Sequence, residues 1–191
     1  MLRMSMISYN EVKPGVAVLV DGEPYLCTWN NIMKKQQRRP VNQTKLRHLI
    51  KGNSIEYSFQ QSDKLEEAEI EHKPAVFIYE RNGEWFFHDV KDKSQRFTVT
   101  EEHMGDSGKF LKGNTPVETL WFNEKLFRVK LPIKMELKVT DAPPNTRGNT
   151  AQGGNKVVTL ETGATLTVPM FVEAGDVLRV NTETGEYVER V

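Results

Sequence analysis

Apolar and polar positions alternate with a period of two along most of this chain, in short runs set apart by turn-forming residues. GVAVLV (15–20), EPYLCTW (23–29), SIEYSF (54–59), AVFIYE (75–80), EWFFHDV (84–90), RFTVT (96–100), VETLWF (117–122) and LFRVKL (126–131) are rich in β-branched and aromatic residues and read as strands. So do MELKVT (135–140), VVTL (157–160), LTVPMFV (166–172), DVLRV (176–180) and EYVERV (186–191). Asp21-Gly22, Asn82-Gly83 and Thr184-Gly185 each lie between two such runs and predict hairpins, the third less strongly because Thr resists positive φ. No segment sustains the 3.6-residue period of an amphipathic helix, although EEHMGDSGKFLKG (101–113) can hold a short helical turn. The pattern predicts an all-β chain of three small β-barrels, which remove exposed sheet edges by closing on themselves.

Two joints divide the chain. The acidic DKLEEAEIE (63–71) is one, and LPIKME (131–136), where Pro132 interrupts strand pairing, is the other. They predict domains at 1–67, 68–131 and 132–191. Each holds about 60 residues, near the lower limit for a self-sufficient core, so the modules are expected to lean on one another.

Composition then narrows the class. With 38% hydrophobic and 27% charged residues in 191, the chain is too apolar for bulk disorder and too charged for a membrane protein. No apolar run approaches the roughly 20 residues needed to span a bilayer, and MLRMSMISYN lacks the apolar core of a secretory signal. A cytoplasmic location is expected. The one cysteine, Cys27, cannot form an internal disulfide and sits in a strand-like run as a small apolar side chain.

The formal net charge is +0, yet its distribution is uneven. Lys34, Lys35, Arg38, Arg39, Lys45, Arg47 and Lys51 fall in a stretch with no Asp or Glu, so one basic face is set into a neutral protein. Beyond Leu131 the balance turns mildly acidic.

Catalytic chemistry has no foothold in the residues. His48, His72, His88 and His103 are scattered and lack the spacing of metal ligands, so no metal site and no cofactor is expected. GNTAQGGNK (148–156) is glycine-rich but has neither a phosphate-loop Lys-Ser/Thr pair nor a dinucleotide fingerprint, and reads as an exposed loop. Trp85, Phe86, Phe87, Trp121 and Phe122 can form either a base-stacking platform or barrel core, and the alternation around them favours core. The chain is not expected to be an enzyme.

KVVTLETGATLTVPMFVEAG (156–175) resembles the C-terminal signature of bacterial elongation factor P, matching at Lys156, Val158, Gly163, Leu166, Val168, Pro169, Val172 and Gly175. The similarity extends through GVAVLVDGEPY and KLRHLIKGNSIEYSF in the first module and FIYERNGEWFFHD and TLWFNEKLFRVKLP in the second. The resemblance implies an SH3-like (KOW) first domain followed by two OB-folds in an elongated shape like transfer RNA. It implies a translation elongation factor, monomeric and without cofactor, whose partners are the ribosome and the peptidyl-transfer RNA. Its function would be to stimulate peptide-bond formation and relieve stalling at consecutive prolines by positioning the acceptor end. Resemblance begins near Ile7, which leaves Met1, Met4 and Met6 as candidate starts.

In that family a basic first-domain loop enters the peptidyl-transferase centre. Here Lys34, Lys35, Gln36, Gln37, Arg38 and Arg39 hold the corresponding place, with four cations in six residues suited to phosphate. The family's tip residue, usually a modifiable Lys or Arg, corresponds to Gln37, or to Arg38 after a one-residue shift. Glutamine has neither an amine nor a guanidinium to modify. An unmodified loop, the shifted register and a paralogue with altered activity all stay open, the last extending to a non-ribosomal RNA-binding or adaptor protein. Gly148, Asn149 and Thr150 stand in the places of the family's Gly-Asp-Thr motif, which approaches the messenger codon in the exit site. Tyr187 and Arg190 match positions of C-terminal ribosome contact.

Overall fold

The computed structural model describes residues 5–34, 39–144 and 154–191. The first third forms β1 (Met6–Ile7), β2 (Ala17–Val20), β3 (Glu23–Met33), β4 (Val41–His48), β5 (Ser54–Gln60) and β6 (Leu65–Glu66). The middle third forms β7 (Glu71–Arg81), β8 (Glu84–Asp89), β9 (Arg96–Thr100), the short helix α1 (Glu101–Met104), a 3-10 segment at Gly105–Phe110, then β10 (Pro116–Phe122) and β11 (Lys125–Lys130). The last third forms β12 (Lys134–Asp141), β13 (Asn155–Leu160), β14 (Thr165–Pro169), β15 (Val177–Asn181) and β16 (Glu186–Arg190). Three main sheets follow the thirds, in the orders β2-β3-β4-β5, β11-β10-β7-β8-β9 and β14-β13-β12-β15-β16, with β1 and β6 paired separately. The all-β expectation holds, and the one helical turn falls where EEHMGDSGKF placed it.

The turns show why these strands end where they do. Asp21 and Gly22 take φ of 52° and 78°, and Asn82 and Gly83 take 55° and 79°, so both pairs have the doubly positive backbone that two-residue hairpins favour. The third hairpin is looser: Val177–Asn181 and Glu186–Arg190 are joined by four residues, of which Gly185 has a φ of 72°. A fourth turn escaped the sequence reading. Asn123 and Glu124 join β10 to β11 with φ of 47° and 62°, a left-handed pair without glycine.

Strand β4 also escaped it, because its inward positions carry Asn42, Thr44 and His48 among the apolar Leu46. It is nevertheless the central strand, pairing with β3 on one side and β5 on the other. By packing, the chain divides into two compact units, Met1–His72 with Leu120–Phe127, and Lys73–Thr119 with Arg128–Val191. The first has a core of Val12, Val18, Val20, Cys27, Leu46, Phe59 and Leu65. The acidic stretch at 63–71 belongs to it, and within that stretch β6 pairs with β1 through Ile7 and Leu65. In the second unit the last sheet buries Leu137, Leu178, Val180 and Val172 completely.

Candidate nucleic-acid interface

The basic loop is held on a two-stranded arm. Strands β3 and β4 pair from Tyr25↔His48 out to Met33↔Val41, so the arm continues as ladder up to the residues that flank the tip. Lys34 follows β3 and Arg39 precedes β4; both are exposed. Lys35, Gln36, Gln37 and Arg38 lie outside the described residues.

Polar contacts fix the arm's direction. Asn42 is fully buried, and its Nδ2 donates to the carbonyls of Tyr9 at 2.6 Å and Val12 at 2.9 Å. Its Oδ1 accepts from Asn30 Nδ2 at 3.2 Å on the facing strand. One amide thus ties both strands of the arm to the N-terminal segment, and its donors and acceptor are all used. Thr44 Oγ1 donates to the Tyr57 carbonyl at 2.9 Å and Thr28 Oγ1 to the Lys45 carbonyl at 3.0 Å. Between Cys27 and Trp29 the register slips by one, a bulge at Thr28 that the Cys27 thiol bridges by donating to the Trp29 carbonyl at 3.3 Å. Burial pushes that thiol up, so it stays protonated and unreactive.

At the base of the arm His48 is 1% exposed. Its Nδ1 accepts from the amides of Ile50 and Lys51 at 3.1 and 3.2 Å, which leaves the proton on Nε2 to be donated to Glu23 Oε2 at 3.1 Å. Glu23 also meets Lys51 Nζ at 3.1 Å. That hydrogen bond, aided by the charge of Lys51, holds the Glu23 carboxyl below its ordinary value.

These pairings narrow the basic face expected from the sequence. Lys51 is matched by Glu23, and the β4–β5 register places Glu56 opposite Lys45, with Nζ and Oε1 3.7 Å apart. Among the described residues, the positive charge of this region that has no such partner sits at Lys34 and Arg39 beside the tip and at Arg47 on the outer face. The arrangement suits contact with phosphate at the end of a stiff arm.

The second candidate region is the C-terminal hairpin. Residues three apart on a strand normally face opposite ways, yet Tyr187 opposes Val180 and Arg190 opposes Leu178. A bulge at Val188 makes this possible and puts Tyr187 and Arg190 on one face. Tyr187 is half-buried. Arg190 reaches Asp176 Oδ2 at 3.4 Å and lies 5.3 Å from the ring centroid of Phe171. Gly148, Asn149 and Thr150 lie outside the described residues.

Among the described residues no three His, Cys, Asp or Glu side chains gather as a metal site. A cleft of about 650 Å³ in the first unit is lined by Val16, Leu26, Leu49 and Phe127, with Glu67, Glu69 and His72. No helix among the described residues is long and apolar enough to cross a membrane. Of the five aromatics singled out in the sequence, Phe87 is fully buried as core, whereas Trp85, Phe86, Trp121 and Phe122 are partly exposed.

Sequence reading pointed to the basic loop and missed Asn42, Asn30 and Thr44, which tie down the strands on either side of it. The only signal was a strand-like alternation in VNQTKLRH whose inward residues are polar, the reverse of the usual pattern.

Comparison with known proteins places the chain. The family model described as "Elongation factor P (EF-P) KOW-like domain" matches residues 8–65, and "Elongation factor P, C-terminal" matches residues 135–190. The chain is 38% identical to elongation factor P of Carboxydothermus hydrogenoformans, with 97% of this chain and 100% of that protein covered. It is 37% identical to elongation factor P of Natranaerobius thermophilus, covering 97% and 98%. Among solved structures it is similar in fold to translation initiation factor 5A from Methanococcus jannaschii, with a TM-score of 0.55, 17% identity, and 68% of this chain and 98% of that chain covered.

Proposed function

The chain belongs to the elongation factor P family of translation factors, and from that footing we propose that it binds the ribosome beside the peptidyl-transfer RNA and stimulates peptide-bond formation. It relieves stalling at consecutive prolines by positioning the acceptor end, without being an enzyme itself. The observation that carries this reading is the β3–β4 arm: a paired ladder, pinned by the buried Asn42, that presents Lys34 and Arg39 beside the tip. A stiff arm ending in cations can hold a phosphate-bearing end in one geometry. Holding the reacting groups near their attack position recovers part of the entropic barrier of a slow bimolecular step.

In this reading Lys34, Lys35, Gln36, Gln37, Arg38 and Arg39 enter the peptidyl-transferase centre, and Gln37 stands unmodified where relatives in the family carry a modifiable residue. The domains run 1–67, 68–131 and 132–191. Gly148, Asn149 and Thr150 contact the messenger codon in the exit site, Tyr187 and Arg190 contact the ribosome at the C-terminal hairpin, and the factor works as a monomer in the cytoplasm. The test is a reconstituted translation assay on a reporter with three consecutive prolines. Replacing Lys34, Lys35, Arg38 and Arg39 together with Ala should abolish rescue while circular dichroism and cosedimentation on other templates show an intact protein. Undiminished rescue by that variant would refute the assignment.

A further inference from the structure

The second sheet carries an aromatic platform that the proposed function does not use. Tyr79 on β7 and Phe86 on β8 are directly opposed, with ring centroids 4.6 Å apart and planes 18° from parallel. One side of this stack is occupied and the other is open, for Tyr79 remains 45% exposed. Stacked rings on a sheet surface are unusual as core, because the core of this barrel lies on the opposite face, where Phe77 packs against Phe87 and Phe87 against Phe97.

The register shows what surrounds the stack. Phe86 opposes Thr98, His88 opposes Arg96, and Arg81 opposes Glu84. A slip at Ile78 is what turns Tyr79 outward, since Phe77 still opposes the inward Phe87. The outer face of β7–β9 therefore presents a stacked aromatic pair bordered by two exposed guanidiniums, with Glu84 set against Arg81. Of the nearby acids, Asp89 is engaged by the amides of Lys91 and Asp92, and Asp92 by Ser94 and Gln95. Arg96 itself is exposed on this face, beside the stack.

Five-stranded barrels of this type bind oligonucleotides on the face of their second and third strands and the loop between the first and second. In this barrel those are β8, β9 and the Arg81-Asn82-Gly83 turn. We propose that this face is a second RNA site, distinct from the basic arm, which takes unpaired bases on Tyr79 and Phe86 and their phosphates on Arg81 and Arg96. Stacking on a ring requires a free base face, so the ligand is single-stranded RNA and not duplex.

The test uses the full chain carrying Lys34→Ala, Lys35→Ala, Arg38→Ala and Arg39→Ala, which removes the four cations of the basic loop, and a fluorescein-labelled single-stranded RNA decamer followed by anisotropy without ribosomes. Tyr79→Ala should weaken binding roughly 5- to 150-fold, the range for loss of one stacked base, while Tyr79→Phe retains it. Arg81→Ala and Arg96→Ala should each lower the slope of log affinity against log salt by about 0.7, whereas Tyr79→Ala leaves the slope unchanged. Equal affinity in Tyr79→Ala, equal competition by the duplex form, or no saturable binding of the decamer would each overturn the site. Because the proline-reporter assay reads the arm and this assay reads the platform, failure of either leaves the other standing.

Discussion

The first and last sheets solve the same packing problem in opposite ways. In the last sheet, β12, β14 and β15 alternate strictly, with Met135, Leu137, Val139, Leu166, Val168, Leu178 and Val180 buried and mostly polar residues between them. In the first, the central strand turns Asn42, Thr44 and His48 inward, and each is satisfied by named backbone or side-chain partners. Apolar burial is strong but indifferent to direction. A buried amide tolerates only the geometry that satisfies it, because any other leaves orphaned donors in the interior. The last sheet is built for stability and the first for aim, which is what a projecting arm needs.

The contrast can be broken from the stability side first. Leu137→Ala removes a fully buried side chain from the last sheet and should cost about 2–5 kcal/mol in urea unfolding, while rescue per folded molecule on the proline reporter stays unchanged. Asn42→Ala strands the carbonyls of Tyr9 and Val12 and should cost less, about 1–3 kcal/mol. Its effect on rescue should exceed the fraction unfolded, since a misplacement of about 1 Å can slow a positioned reaction up to about 100-fold. Equal loss of rescue and of folded protein in Asn42→Ala would erase the distinction.

A smaller effect comes from acid. Glu23 has its carboxyl lowered, first by the Lys51 hydrogen bond, and a carboxylate lowered in the folded state adds stability above its unfolded value near pH 4.3. That contribution is lost as pH falls through the lowered folded value. Wild-type stability should therefore stay level above about pH 5 and drop below about pH 4, and Glu23→Gln should make the drop shallower. Asp176, lowered mainly by the Glu173 amide, keeps part of the acid sensitivity in that variant. Smallest of all, Lys45→Ala removes an exposed pair with Glu56 and should change stability by about 0–1 kcal/mol.

How much of this was legible in the sequence follows the same divide. Strands of the last sheet, the Asp21-Gly22 and Asn82-Gly83 turns and the helical turn after Thr100 were all readable, because apolar periodicity and left-handed turn chemistry are local signals. Strand β4 was not, since buried Asn42 and His48 mimic a solvated loop until their partners at Tyr9, Val12 and Glu23 are known. The Asn123-Glu124 turn was missed for want of a glycine. At the candidate site, cation density marked Lys34 and Arg39, but nothing in the residue order disclosed that Glu23 and Glu56 neutralise Lys51 and Lys45. The Ile78 slip that exposes Tyr79 and the Val188 slip that aligns Tyr187 with Arg190 are equally silent, because a one-residue register change is decided by both strands together.

The chain's only sulfhydryl closes the bulge at the root of the arm and is 1% exposed. It is thereby a ready-made timer for the opening of that core: a maleimide can alkylate it only during excursions that part Cys27 from the residues packed around it. The labelling rate, compared between the free chain and the chain mixed with ribosomes, would report whether ribosomes restrain that opening, without any engineered probe.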